Sequence, residues 1–208
     1  MVNTSLDLGR RKFLQSVLPA GTMFCLGCTS LMAHSSGEKT ALYFQQKNQF
    51  LEDSGLTVEE VFQFTFRDNF IPLMQAMAKD MGRDNLIARL ETGAAATITN
   101  FMAEMAKDMP TRDFATLKTF TAELMKTFPY NKALVYEVTK DTDTEFEVRY
   151  SECLYAKTFI EAGAADIGYA ALCSPSEAMI RAFNPKIKFT NVKNPMKGDD
   201  VCIERYVW

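Results

Sequence analysis

The apolar and polar positions of this 208-residue chain follow two regimes, divided at Pro129. Before it, apolar residues recur at helical spacing; after it, they alternate. Ala41–Asp53 is predicted as a helix, broken by Gly55. Thr57-Val58-Glu59-Glu60 starts a second, with Thr57 as N-cap and Glu60 at the capping-box distance. It should run to about Met81 and stop at Gly82, kinked or divided by Pro72. Asp84 opens a third helix, from about Asn85 to Met109, ended by Pro110. Thr111 or Asp113 caps a fourth, from Phe114 to Phe128, ended by Pro129.

Beyond Pro129, Ala133–Thr139 and Glu145–Tyr150 read as a hairpin about Asp141-Thr142-Asp143. Phe146, Val148 and Tyr150 fall on one side of its second strand, with Glu145, Glu147 and Arg149 on the other. Cys153 comes where that strand ends. Tyr155–Ala162 is helical and stops at Gly163. Asp166–Leu172 forms a short helix ending at Cys173. Ser174 then caps a new helix, with Pro175 at its first position and Glu177 at its third, ending near Asn184-Pro185. Lys186–Thr190 and Val201–Val207 complete the strands. The order gives an α+β domain: an N-terminal helical half of about four helices, packed on a C-terminal antiparallel sheet of about four strands. Trp208 is expected in the core, closing the sheet edge. Glu204 and Arg205 are neighbours on a strand, so they face opposite sides and only one can enter a site.

Two segments echo each other: Met74, Met77 and Met81 match Met102, Met105 and Met109, each a stripe on one helix face. A thioether stripe suits a soft metal such as Cu(I). Methionines on amphipathic helices also simply fill a core, and the core is the expected place for these.

Composition narrows the chemistry. Hydrophobic residues make up 47% and charged ones 24%, as in a folded soluble protein. The net charge is −3; residues 1–34 carry Arg10, Arg11 and Lys12 against Asp7, or +2, which leaves −5 for the remainder. A mildly acidic domain without a basic stripe argues against nucleic acid as partner. The only histidine is His34. A domain without histidine runs no Ser-His-Asp or Cys-His mechanism and builds no histidine-rich metal site. Proton transfer must then use carboxylates, thiols, Tyr or Lys.

Residues 1–33 read as an export leader, 34–40 as a linker and 41–208 as one domain. Gly9-Arg10-Arg11-Lys12-Phe13-Leu14-Gln15 resembles the twin-arginine motif, and the apolar run Val17–Leu31 is too short for a comfortable membrane span. Leu31-Met32-Ala33 suits a signal peptidase, and Cys25-Leu26-Gly27-Cys28 resembles a lipobox. The expected partners are therefore the twin-arginine export machinery and a small-molecule substrate. The expected location is the periplasm or the outer side of the inner membrane, with possible anchoring through the leader.

Three cysteines lie outside the leader: Cys153, Cys173 and Cys202, separated by 19 and 28 residues. That spacing is no zinc-finger or ferredoxin signature. Each sits at an element end, and such ends can converge on one pocket edge. A helix starting at Ser174 would point its positive end at Cys173 and lower its thiol pKa.

The segment S-E-C-L-Y-A around Cys153, then G-x-x-D-I-G-Y-A-x-L-C ending at Cys173, then Phe183-Asn184-Pro185, then Gly198-Asp199 before Cys202, resembles the L-2-amino-thiazoline-4-carboxylic acid hydrolase family. The resemblance covers about residues 55–208 and is most specific over 150–208. It implies the α+β fold and a ring-opening hydrolysis that yields an N-carbamoyl cysteine. The leader departs from the named hydrolase, so the fold and site carry over further than the substrate does. On this reading Cys173, by preference, attacks the amidine-like carbon of a C=N substrate, with Cys153 and Cys202 beside it. Asp199 or Glu152 handles the proton. Two other readings compete. In one, the three thiolates hold a soft metal ion in a binding or carrier protein, the single cofactor this sequence suggests. In the other, the chain is an accessory subunit with a disulfide among the three.

Overall fold

The computed structural model describes residues 55–107 and 109–208 of the chain. The leader, its lipobox-like run and the helix expected over Ala41–Asp53 lie outside the described residues.

The first described helix starts as its sequence dictates. Thr57 Oγ1 accepts from the Glu60 N–H at 3.2 Å, and Glu60 Oε2 accepts from the Thr57 N–H at 2.8 Å, a closed capping box. Helix α1 (Val58–Phe62) passes into a π-helical stretch (Gln63–Phe70) and then into α2 (Ile71–Met81), which Gly82 ends at a φ of 86°. Pro72 lies in the first turn of α2, and the Ile71 N–H before it bonds the Phe66 carbonyl, five residues back. The widened turn therefore absorbs the proline. It divides the helix into two kinds without ending it.

The end of α1 and the π stretch carry Phe62, Phe66 and Phe70 into the first of two cores. They pack edge-on or tilted against Tyr155 and Phe159 of α6 (Leu154–Glu161). Ring centroids lie 4.7 Å apart for Phe62–Tyr155 and 5.4 Å apart for Phe66–Phe159. The second core joins Phe114, Leu117 and Met125 of α4 (Phe114–Met125) to the inner face of the sheet. Helix α3 (Arg83–Lys107) serves both, with Leu86 in the first core and Met102 in the second. The methionine stripes accordingly fill core, Met74 in the first and Met102 in the second. Asp113 caps α4 through a 2.8 Å bond from the Thr116 N–H. A short α5 (Tyr130–Ala133) leads into the sheet.

Strands β1 (Leu134–Asp141), β2 (Glu145–Cys153), β3 (Lys188–Lys193) and β4 (Cys202–Val207) form one antiparallel sheet in the order β1-β2-β4-β3. The expected α+β architecture is present. Phe146, Val148 and Tyr150 face the core, as their alternation requires. One irregularity matters. Val135 pairs with Glu152 while Tyr136 pairs with Tyr150, so Ser151 has no opposite residue in the ladder and forms a bulge. The bulge shifts the phase of the strand end, so Cys153 turns inward.

After α6, Gly163 reverses the chain at a φ of 63°, and α7 (Ala165–Gly168) runs into a second π stretch (Tyr169–Cys173). Arg83 ties the start of this unit to α3 by a two-pronged pair with Asp166, both contacts at 2.6 Å. Helix α8 (Ser176–Phe183) follows. Two expectations fail here. Ser174 does not cap α8: its N–H bonds the Tyr169 carbonyl and its hydroxyl donates to the Ala170 carbonyl at 2.9 Å. The π turn has claimed it. Trp208 is not core either. It lies beyond β4, 44% exposed, and stacks on Phe114 with ring centroids 6.2 Å apart.

Candidate active site on the inner face of the sheet

Along β4 the residues Cys202, Glu204 and Tyr206 alternate onto the inner face. In register, Cys202 stands opposite Tyr150, and Glu204 stands between Val148 on β2 and Asn191 on β3. Glu204 Oε2 accepts two phenol hydrogen bonds, from Tyr150 at 3.1 Å and from Tyr206 at 2.9 Å. Burial pushes the Glu204 carboxyl up, and the two phenols hold it back. Both phenols are pushed well above the ordinary tyrosine value, first by burial and then by the Glu204 charge, so they stay protonated donors. Tyr130 is raised for the same two reasons. Among the described residues Glu204 forms no ion pair. Its neighbour Arg205 faces the other way and bridges Glu147 at 2.7 Å and Glu145 at 3.4 Å. Of the two adjacent residues, it is Glu204 that enters.

The three cysteines are free thiols, each half-buried, and no disulfide joins them. Cys153 is the N-cap of α6. Its sulfur accepts from the Ala156 N–H at 3.4 Å and from the Tyr155 N–H. Burial raises its pKa, the two N–H bonds oppose that, and Glu204 adds a smaller upward push. Cys173 closes the second π stretch. Its pKa is pushed up to about 12, chiefly by burial and then by Cys153 and Glu204, against an opposing hydrogen bond from the Asn194 side chain and the more distant Lys197 charge. Burial, Glu204 and Cys173 raise Cys202 too, while Asn191 Nδ2 donates weakly to its sulfur at 3.8 Å. The three thiols and Glu204 are thus electrostatic neighbours.

This reverses the expectation for Cys173. No helix cap forms at Ser174, and the thiol is raised rather than lowered. The helix start meets Cys153 instead, where two peptide N–H groups already point at sulfur.

The two carboxylates read from sequence lie outside the cluster. Glu152 is exposed, because the Ser151 bulge places it on the outward side. Asp199 is exposed too, and its Oδ2 accepts from the Asn194 N–H at 2.7 Å. It acts one step away: it clamps the loop that holds the buried Asn194 against Cys173. Among the described residues, no group of three or more His, Cys, Asp or Glu is placed to hold a metal ion, so Cys153, Cys173 and Cys202 do not form the three-thiolate ligand set.

Glu204, Asn191 and Asn194 carry this site, and sequence reading did not single them out as its centre. For Glu204 a signal existed. If Cys202 faces inward, period-two alternation brings Glu204 and Tyr206 with it. Asn194 precedes a proline and bonds the Met196 N–H through Oδ1 at 2.9 Å, an Asx turn that its sequence suggests. For Asn191 nothing distinguishes it from any polar strand residue.

No curated protein matches the chain. The sequence profile of the L-2-amino-thiazoline-4-carboxylic acid hydrolase family matches residues 63–206, from the π stretch of the first helix to Tyr206 on the last strand. A match of that extent takes in all three thiols, Glu204 and both layers of the fold, and the chain therefore belongs to the L-2-amino-thiazoline-4-carboxylic acid hydrolase family.

Proposed function

We propose that the protein is a hydrolase that opens a cyclic amidine of the thiazoline kind at the thiol cluster, with Cys153 as nucleophile and Glu204 as proton relay. The observation that carries this reading is a helix-capped thiol in one cluster with a buried carboxylate, on a face that has no histidine. The Cys153 sulfur adds to the amidine carbon while its proton passes through Glu204 to the ring nitrogen. The tetrahedral adduct collapses: the ring C–S bond breaks, the ring sulfur leaves as a thiol with a proton given up by the exocyclic amino group, and an isothiourea remains on Cys153. Water then adds to the isothiourea carbon and displaces the Cys153 thiol, leaving the carbamoyl group on the former ring nitrogen. One water is consumed in all. Tyr150 and Tyr206 hold the carboxylate in place through both steps. Cys173 and Cys202, protonated and half-buried, flank the reacting thiol.

The test is turnover of 2-amino-thiazoline-4-carboxylate by the purified domain and by Cys153→Ser, Cys173→Ser and Cys202→Ser. Loss of at least about 100-fold in Cys153→Ser alone supports the assignment, on the scale of removing a nucleophile. Full activity in Cys153→Ser refutes it. The Arg10-Arg11 leader supports export of the folded domain by the twin-arginine route. Retention in the cytoplasm of an Arg10→Lys, Arg11→Lys double variant is the matching check.

A further inference from the structure

Asn191 stands beside Glu204 on the neighbouring strand, and its side chain is turned to the Cys202 thiol. Its Nδ2 is used, on Cys202. Its Oδ1 is buried and has no hydrogen-bond partner, the single such side-chain atom among the described residues. A buried carbonyl oxygen left unpaired costs free energy, so an orphan of this kind marks a place where a donor is to arrive. The Glu204 carboxyl lies opposite it in register, and the nearest arginine on β4, Arg205, points away to Glu147.

We infer that Asn191 is the specificity-determining residue for the exocyclic amino group of the substrate, its Oδ1 accepting one N–H while Glu204 faces the ring nitrogen of the same amidine. The inference rests on the proposed hydrolase reading and names the part of the substrate that reading leaves open. A 2-amino group supplies the N–H that Oδ1 lacks. A 2-methyl group of the same size supplies none and leaves the oxygen stranded. Discrimination should therefore reach about 10- to 100-fold in affinity, the range of a hydrogen bond to a charged partner in a dry site.

The test compares binding of 2-amino-thiazoline-4-carboxylate with that of its 2-methyl analogue by calorimetry. It uses the catalytically silent Cys153→Ser background, with and without Asn191→Ala. The expected result is tighter binding of the amino compound by at least about 10-fold, falling to within about 3-fold in N191A through loss of the amino compound's affinity alone. Equal binding of the two compounds before the Asn191 change, or unaltered discrimination after it, overturns the inference. Should N191A not fold, Asn191→Asp decides. It keeps an acceptor at the same place, so discrimination must persist, and its loss overturns the inference. Turnover, measured separately on the unmodified protein, distinguishes the two claims. Discriminating binding without hydrolysis removes the hydrolase reading and leaves Asn191 as a recognition residue. Hydrolysis without discrimination does the reverse.

Discussion

Gly168 is the position where one methyl group should do most damage. A Cβ placed there would lie 2.5 Å from Phe159 Cγ, 2.7 Å from its Cδ1 and 2.8 Å from its Cβ. Ordinary carbon contacts are about 3.5–4.0 Å, so three atoms overlap by roughly 1 Å each. Phe159 has no room to retreat. It is fully buried, with Phe66 and Phe70 at 5.4 Å and 6.0 Å between ring centroids. Overpacking of this kind costs about 1–3 kcal/mol, and the helical preference of alanine over glycine returns at most about 1 kcal/mol. Gly168→Ala should therefore lose about 1–2 kcal/mol, a fall of roughly 2–8 °C in Tm for a domain of this size. Urea titration followed by circular dichroism measures it. A second substitution, Phe159→Leu, makes space at the same contact, so the double variant should lose less than the sum of the two single ones. Because Gly168 leads directly into the π stretch that ends at Cys173, iodoacetamide should also label Cys173 faster in G168A. If G168A is as stable as the parent protein, or if the two substitutions simply add, the close approach of α7 to Phe159 is not a constraint and the reasoning fails.

The remaining predictions concern titration and thiol order. At neutral pH, limited alkylation read by peptide mass spectrometry should modify Cys153 before Cys173, because two N–H bonds favour the Cys153 thiolate while Cys173 is held up to about 12; labelling of Cys173 first would contradict the helix-cap argument. Glu204 has its folded pKa raised above the ordinary 4.5, so its contribution to stability is complete below that value and is lost as pH rises through the folded one. Glu204→Gln does not titrate. Its stability relative to the parent protein should therefore climb from about pH 4 upward and level off once Glu204 is ionised, and a flat or falling difference in urea titrations across pH 4–8 would mean that the carboxyl is not desolvated.

Local chemistry was legible in the sequence wherever a short-range rule decides it. The Thr57 capping box, the stop at Gly82, the Asp113 cap and the inward set Phe146, Val148 and Tyr150 all follow from residues within a turn or a strand of one another. The family resemblance of the cysteine segment was legible. The segment's internal roles were not, because they depend on two irregularities with no short-range signature. The π turn over Tyr169–Cys173 takes Ser174 away from the cap that Ser-Pro-Ser-Glu otherwise announces. The bulge at Ser151 sends Glu152 outward and brings Cys153 in. Asp199, offered with Glu152 as proton carrier on the strength of the family resemblance, instead spends its Oδ2 on the Asn194 N–H. The burial of Glu204 depends on Tyr150, 54 residues earlier in the chain, and no local pattern joins the two.

The unmatched Ser151 has a consequence for how relatives of this chain are compared. It works like a spare link in the inward–outward alternation of β2: with Ser151 removed the ladder becomes regular, the acid follows Tyr150 outward and the thiol still faces in. A relative one residue shorter at this point therefore keeps the same group on the same face, and a single-residue gap there does not separate family members by chemistry. Between Phe146 and Tyr150 the ladder to β4 holds no such spare residue, and a gap there would turn one part of the inward set to solvent. The position of a gap along this strand is thus a better marker of a shared site than its presence.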